Sequence, residues 1–462
     1  MREVNKTPLT FLIDDVAPED NAMLQALYSR SGDSVATHLE KVAASGSGKF
    51  MESFYVGYGH RSIGDCGTTT LFIEGVSNLV AKAIQDNSLY CGQESSTRYL
   101  DYSQQAIVDP YNMEMSTDAI NKWLEIYTTY QPIVVEGLKI LYPMQDGESL
   151  TTWEKAIKAR SFDIMRGFLP VGVTTQLSWH TNLRQARDKL QMLAFHPLLE
   201  VQHVAKMLFD HLITKYPHSF KETDMHTDGN AVNEWLSQPV MQELYYSMSD
   251  GQFLGVDADD QFRCETLFWM PENVAALLKN RPPHAPIPRI MNTGNNFQCC
   301  YVLDFGSWRD MQRHRDGLCP VPVVTDCGYG INPWYISNAR AAIIQAEGGP
   351  SAEQFTWEVE NHLAYINAMR DVDSFPYDVH KHQYLYPMGL NLDCYTQCNF
   401  SQMVYISELR STQFVHPTLR KIAQKMGDVI KGVAPNMALH VDYNADKWSI
   451  ARGLQDIVKK EA

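Results

Sequence analysis

"LPVGVTTQLSWHTN", Leu169 to Asn182, has a counterpart later in the chain, "YPMGLNLDCYTQCN", Tyr386 to Asn399. Pro170 and Pro387, Gly172 and Gly389, and Asn182 and Asn399 all lie 217 positions apart. Three matches at one spacing mark an internal repeat, and a repeat decides how a chain of 462 residues divides. Downstream, "HPLLEVQHVAKMLFDHLITKYP" from His196 and "HPTLRKIAQKMGDVIKGVAP" from His416 both open with His-Pro-x-Leu. Both then carry apolar residues at helical spacing and end at a proline. Upstream, "FIEGVSNLVAKAIQDNS" (Phe72 to Ser88) and "YVLDFGSWRDMQRHR" (Tyr301 to Arg315) each read as an apolar strand turning into a helix, at a spacing near 227.

Loop insertions account for the drift in spacing. The chain therefore divides into an N-terminal half, 1–240, and a C-terminal half, 255–462, joined near "YYSMSDGQFLGVDADDQ". Each half runs strand, helix, middle helices, then a Pro-Gly turn into two long helices. The expected fold class is α/β (α+β), two tandem modules each with a mixed sheet and long helices.

Composition bounds the function. Hydrophobic residues at 44% and charged residues at 20% indicate a packed globular protein. No apolar run is long enough to span a membrane, and the first residues lack a signal-peptide pattern, so a cytoplasmic protein with no membrane partner is expected. Nine cysteines without a regular framework imply reduced thiols. A net charge of -15 argues against a nucleic-acid partner, which demands a broad positive field. A small anionic ligand needs only a local nest of cations.

Two such nests stand out. "CGQESSTRYLDYS", Cys91 to Ser103, gathers Glu94, Ser95, Ser96, Thr97, Arg98 and Tyr99. That is an inventory for a nucleotide, with hydroxyls and a guanidinium for phosphate oxygens and a ring for stacking, or alternatively a capped, salt-bridged loop. "SWRDMQRHRDG" places Arg313, His314 and Arg315 in a row at a helix end. Consecutive side chains there point to different sides and suit a diphosphate, although cations at a helix C-terminus are favourable without any ligand. Walker, Gly-x-Gly-x-x-Gly, His-Glu-x-x-His and Cys-x-x-Cys patterns are absent, so no metal site is expected.

"GHRS" (Gly59 to Ser62), "FIEGVS" and "QESSTRY" together resemble the flavin-dependent thymidylate synthases, whose signature is Arg-His-Arg-x-x-Ser-x-Asn-x-x-Ser-x-Arg-Tyr. Both halves also resemble that family's later segment, so the chain looks like a fused tandem, a pseudo-dimer of two modules. The departures are complementary. The first half keeps Glu94, Ser96, Arg98 and Tyr99 but has Asp86, Asn87 and Ser88 in place of Arg-His-Arg. The second half keeps Arg313, His314 and Arg315 but continues "DGLCPVPVVTD". Arg166 matches the family's nucleotide-contacting arginine, where the second half has Gln383; Arg410 matches the catalytic arginine, where the first half has Leu193.

The resemblance implies one composite site and a homo-oligomer of tandem chains. Glu94, Ser95, Ser96, Thr97, Arg98, Arg166, Asp310 and Arg313 would bind the nucleotide, with Arg410 as the catalytic residue against its base. Arg313, His314 and Arg315, with Ser62, Glu94, Asn182 and Asn399, would hold FAD. The implied reaction transfers a one-carbon unit from methylenetetrahydrofolate to C5 of dUMP, with NADPH reducing FAD. Asp310 stands where the family usually has glutamine, which keeps dCMP, or a hydroxymethyl product, open. A catalytically inactive nucleotide-binding scaffold is the reading from a different class.

Overall fold

The computed structural model describes residues 10–98, 101–244, 261–283 and 285–444. Tyr99 and nearly all of the joining stretch 245–261 lie outside the described residues. The chain is mixed α and β, with two small sheets among many helices. Among the described residues, no helix is long and apolar enough to cross a membrane.

Two compact units form, and they do not coincide with the sequence halves. One comprises Met1–Leu71, Trp179–Phe195 and Gln202–Ser237; the other comprises Phe72–Ser178, His196–Val201 and Gln238–Ala462. In the first unit, helices Pro18–Tyr28 and Val35–Ser45 close over Met23, Leu24 and Val42. Helix Leu183–Leu193 starts where the Asn182 side chain accepts from the Gln185 amide, satisfying one orphan donor of its first turn.

The second unit holds an antiparallel sheet in the order β3 (Phe262–Leu267), β4 (Asn296–Asp304), β6 (Asn391–Asn399), β5 (Gly317–Leu318). β4 and β6 pair along their whole length, from Asn296 opposite Asn399 to Asp304 opposite Asn391. Phe297, Cys299 and Tyr301 alternate into the core, the period-two pattern of a strand with one buried face. A separate two-stranded sheet joins β1 (Thr68–Ser77) to β2 (Thr174–Asn182).

The element order recurs along the chain. β1 runs into helix Asn78–Gln85, followed by long helices Glu114–Leu141 and Leu150–Met165, β2, and helices Leu183–Leu193 and Leu199–Lys215. β4 runs into helix Phe305–Met311, followed by Pro333–Glu347 and Gly349–Ala368, β6, and helices Phe400–Arg410 and Pro417–Val433. β2 and β6, and the helices that directly follow them, are offset by the same 217 residues as the sequence match.

Within the second unit the matched segments bond to each other reciprocally. Pro170 and Pro387 face across an antiparallel bridge. The Val171 amide donates to the Tyr386 carbonyl at 2.8 Å and the Met388 amide returns the bond to Leu169 at 2.8 Å. Gly172 donates to Tyr384 at 3.1 Å, and Gly389 to Gly167 at 2.8 Å. The repeated glycine has a steric cause: a Cβ on Gly172 would lie 2.7 Å from the Val108 carbonyl oxygen, and one on Gly389 2.6 Å from that of Gly167.

Candidate functional site

The sequence-predicted residues fall mostly in the second unit. Helix Phe305–Met311 begins where Asp304, at the end of β4, accepts from the Ser307 amide. The helix stops after two turns, and residues 312–315 leave it as a turn in which Gln312 and His314 are buried and Arg313 is exposed. This short helix points Arg309 inward, where its guanidinium meets Glu94 at 2.5 Å and the Thr97 hydroxyl at 3.3 Å. Glu94 also accepts from Lys82 at 2.7 Å and Gln85 at 3.0 Å. Burial alone would raise the Glu94 pKa, but Arg309 and Lys82 hold its carboxyl well below the usual carboxylate range. Burial pulls the Lys82 ammonium down from its ordinary range against the attraction of Glu94.

Arg98 forms a two-pronged ion pair with Asp163, at 2.7 and 3.3 Å, and donates to the Phe414 carbonyl at 3.2 Å. Arg166 is buried and donates to Ser307 Oγ at 3.0 Å; that hydroxyl also meets His416 Nδ1 at 3.2 Å and Thr418 Oγ1 at 2.7 Å. Thr418 in turn donates to Asp304 at 2.6 Å, as does the Tyr335 hydroxyl. A continuous polar network therefore runs from the end of β4 to Arg166.

Arg410, last residue of its helix, donates from Nε to His314 Nε2 at 2.7 Å and from a terminal nitrogen to the Asp310 carbonyl at 2.9 Å. His314 thus accepts at Nε2 and is neutral; burial, then Arg410, pushes its pKa down to about 3. Burial would raise the Asp310 carboxyl, but Arg313, Arg410, Arg98 and Arg166 hold it well below the carboxylate range. Arg313 is the outward member of the trio, 43% exposed and 3.5 Å from Asp310. Arg315 lies over the Tyr90 ring, 4.5 Å from its centroid, and donates to the Gln85 carbonyl.

The structure thus brings Glu94, Thr97, Arg98, Arg166, Asp310, Arg313, His314, Arg315 and Arg410 into one unit. Ser95 and Ser96 lie beside them, half-buried; the Ser95 amide bonds to Gln176 and the Ser96 hydroxyl accepts from the Arg98 amide. Asn399 caps helix Phe400–Arg410 through Gln402 and donates to Asp316, so both ends of its amide are engaged. Asn182 and Ser62 belong to the other compact unit; Asn182 is a helix cap and Ser62 is exposed. At the positions matching Arg166 and Arg410 sit Gln383, buried and accepting from the Val324 amide, and Leu193, buried.

Lys82, Arg309 and Asp163 are the site residues that motif matching missed. One signal was available: Lys82 and Arg309 each stand five residues beyond the strand-end cap, 227 positions apart. In this site the buried Nε atoms of Arg166 and Arg309 have no hydrogen-bond partner among the described residues, as is true of the Nε atoms of Arg281 and Arg370 elsewhere in the unit. A cavity of about 480 Å³, lined by Arg289, Asn292, Asp316, Ser401, Gln402 and Tyr405 among others, opens beside the trio, and Tyr405 packs edge-on against His314. Among the described residues no cluster could hold a metal ion.

The chain is similar to several known proteins. The profile of the family described as "Thymidylate synthase complementing protein" matches residues 12–218. A UPF0159 protein of Thermoplasma acidophilum is 23% identical, over 91% of this chain and 94% of its own length. UPF0159 proteins of Chlamydia pneumoniae and Chlamydia muridarum are 23% and 22% identical over 81% and 80% of this chain, each aligned over 76% of its own length. The crystal structure of flavin dependent thymidylate synthase ThyX from Helicobacter pylori, complexed with FAD and dUMP, covers 45% of this chain and 95% of that one. Its identity is 16% and its TM-score 0.28, too low an overlap to support any argument. The profile match is confined to residues 12–218, under half of the 462-residue chain, and marks that segment as similar to the thymidylate synthase complementing proteins.

Proposed function

We propose that the chain is an FAD-dependent enzyme that transfers a one-carbon unit from methylenetetrahydrofolate to C5 of a deoxypyrimidine nucleotide, with NADPH as reductant. The observation that carries this reading is the ion pair between Glu94 and Arg309. It joins the nucleotide-type loop of one repeat to the helix that leads into Arg-His-Arg in the other, within a single chain. On this reading the two halves, 1–240 and 255–462, are modules of a pseudo-dimer with one composite site.

The residues fit FAD unevenly. Arg313 is exposed enough to meet a diphosphate, whereas Arg315 is held over Tyr90 and against the Gln85 carbonyl, and His314 is committed to Arg410 and serves as its support. Bound and reduced, FAD supplies the hydride. The chain's own residues do the rest. The orphaned Arg166 nitrogen and the hydroxyls of Ser95 and Ser96 bind phosphate and sugar, and Thr97 and Glu94 hold the loop to Arg309. Arg410, fixed by His314, stands against the base and lowers the pKa of its N3 proton, which raises the electron density at C5. No cysteine is required.

A second reading rests on Asp310. Its ionised carboxylate beside Arg410 offers an acceptor and a donor side by side, which complements the amino group and N3 of cytosine. Titrating the purified protein with FAD, then with dUMP and dCMP, separates these readings. The flavin spectrum should shift with one nucleotide, and FAD should be lost in Arg313→Ala but retained in Asp86→Ala. Failure to bind FAD at all, or equal loss in both variants, would overturn the one-site reading.

A further inference from the structure

The four-stranded sheet carries a thiol pair that the proposed reaction does not use. Cys264 on the edge strand β3 lies directly opposite Cys299 on β4 in the antiparallel register. Their sulfurs are 2.9 Å apart, within hydrogen-bond reach of each other. Directly paired residues in an antiparallel ladder have Cα atoms about 4.5 to 5.5 Å apart. That range falls inside the span a disulfide can bridge, so the two strands need no rearrangement to be linked.

The two thiols differ as an attacking and a resolving pair must. Cys264 is half-buried on the edge strand and reachable from solvent, whereas Cys299 is fully buried behind it. The hydrogen bond shared with Cys299 lowers the Cys264 pKa, while that same contact and burial raise Cys299. The neighbouring Cys300 points to the opposite face of the strand and faces Arg263 across the ladder, so it is not the partner.

We infer that Cys264 and Cys299 form a redox-active dithiol, a modification site for low-molecular-weight disulfides. The Cys264 thiolate attacks one sulfur of the oxidant, forming a mixed disulfide and releasing one thiol. Cys299 then gives up its proton and attacks the Cys264 sulfur, releasing the second thiol and leaving a Cys264–Cys299 bond. The protein loses two electrons and two protons, and the oxidant gains them. The product staples the edge strand to β4, five residues before the Asp304 cap of the helix that carries Arg309, and should raise thermal stability.

The test uses the full chain, reduced and then treated with oxidised glutathione. Thiol titration under denaturing conditions should show two of the nine thiols lost, and peptide mapping should show a Cys264–Cys299 link. The melting temperature should rise by a few degrees, and Cys264→Ser should abolish both changes while Cys300→Ser keeps them. A stable glutathione adduct on Cys264, a link between any other cysteines, or nine unchanged thiols would each overturn the inference. Mapping of the unmodified sequence decides the matter even if a variant fails to fold.

Discussion

The two strand-to-helix turns of the second unit share a backbone plan and differ in what they carry. At the end of β1, Ser77 caps its helix, and its amide and hydroxyl bond to Glu200 at 2.9 and 2.6 Å. At the end of β4 the acid is in the strand: Asp304 caps, and the hydroxyl comes from Thr418 at 2.6 Å. Glu200 and Thr418 are both the second residue of their helices, so a carboxylate and a hydroxyl have exchanged sides while each turn keeps one of each. Five residues on, Lys82 and Arg309 converge on the single carboxylate of Glu94. Four positions later the turns part, Asp86-Asn87-Ser88 in one and Arg313-His314-Arg315 in the other. The difference teaches that the scaffold tolerates relocated charge as long as each buried ion keeps a partner, and that only one turn retains cations in excess of that need.

The largest test of this comparison is Glu94→Ala, which leaves both Lys82 and Arg309 buried without their counter-ion. Denaturant unfolding should show a loss of about 3 to 5 kcal/mol, or no folded protein. Glu74→Ala, an exposed acid on β1, should cost little, and equal losses would break the assignment of Glu94 as the joint of the two turns.

The matched positions 193 and 410 should separate stability from chemistry. Arg410→Ala should lower turnover about 100- to 1,000-fold, the usual cost of removing one charge-stabilising donor, with little change in unfolding. Leu193→Ala should instead cost about 2 to 5 kcal/mol in stability through the cavity it leaves. Comparable turnover losses in the two purified proteins would contradict the partition of roles.

His314 gives a pH signature that the other turn, with Asn87, lacks. Its folded pKa is pushed down to about 3 from an ordinary 6.5, so the unfolded chain binds the proton first. Its contribution is therefore complete above 6.5 and is lost as pH falls toward 3, with a slope approaching about 1.4 kcal/mol per pH unit. His314→Gln should reduce the slope between 6.5 and 4.5 by up to one proton's worth, with Glu94 and Asp310 still ionised and the lowered His362, His382 and His416 supplying the remainder. An unchanged slope in denaturation midpoints across that interval would remove His314 as the support of Arg410.

The smallest effect concerns the exchanged caps. Asp304→Asn should cost about 1 to 3 kcal/mol, since three donors lose a charged acceptor. Ser77→Asp with Glu200→Ser, which imposes the β4 arrangement on β1, should cost less than Ser77→Asp alone, where two carboxylates meet. Additive losses in thermal melts would show that the two turns are not interchangeable.

The repeat itself was legible, because Pro-x-Gly and the Asn caps obey local rules: a close backbone approach that admits only glycine, and a side-chain acceptor for an orphan amide. The motif residues Glu94, Arg98, Arg313 and Arg410 were legible as types. Their partners were not. Asp163 and Thr418 carry no local signature, since bonds spanning 65 and 114 residues depend on which elements pack together.

The sequence alone determined the periodicity, the caps, the glycines at the Pro170 and Pro387 crossing and the complementary loss of motifs, all of which are properties of neighbours in the chain. Tertiary structure decided that the second unit gathers 72–178 with the C-terminal half, that Glu94 serves two helices at once, and that His314 supports Arg410. Those outcomes follow from desolvation: once the segments pack, every buried charge must find a partner, and the partner is whichever residue the fold brings within reach.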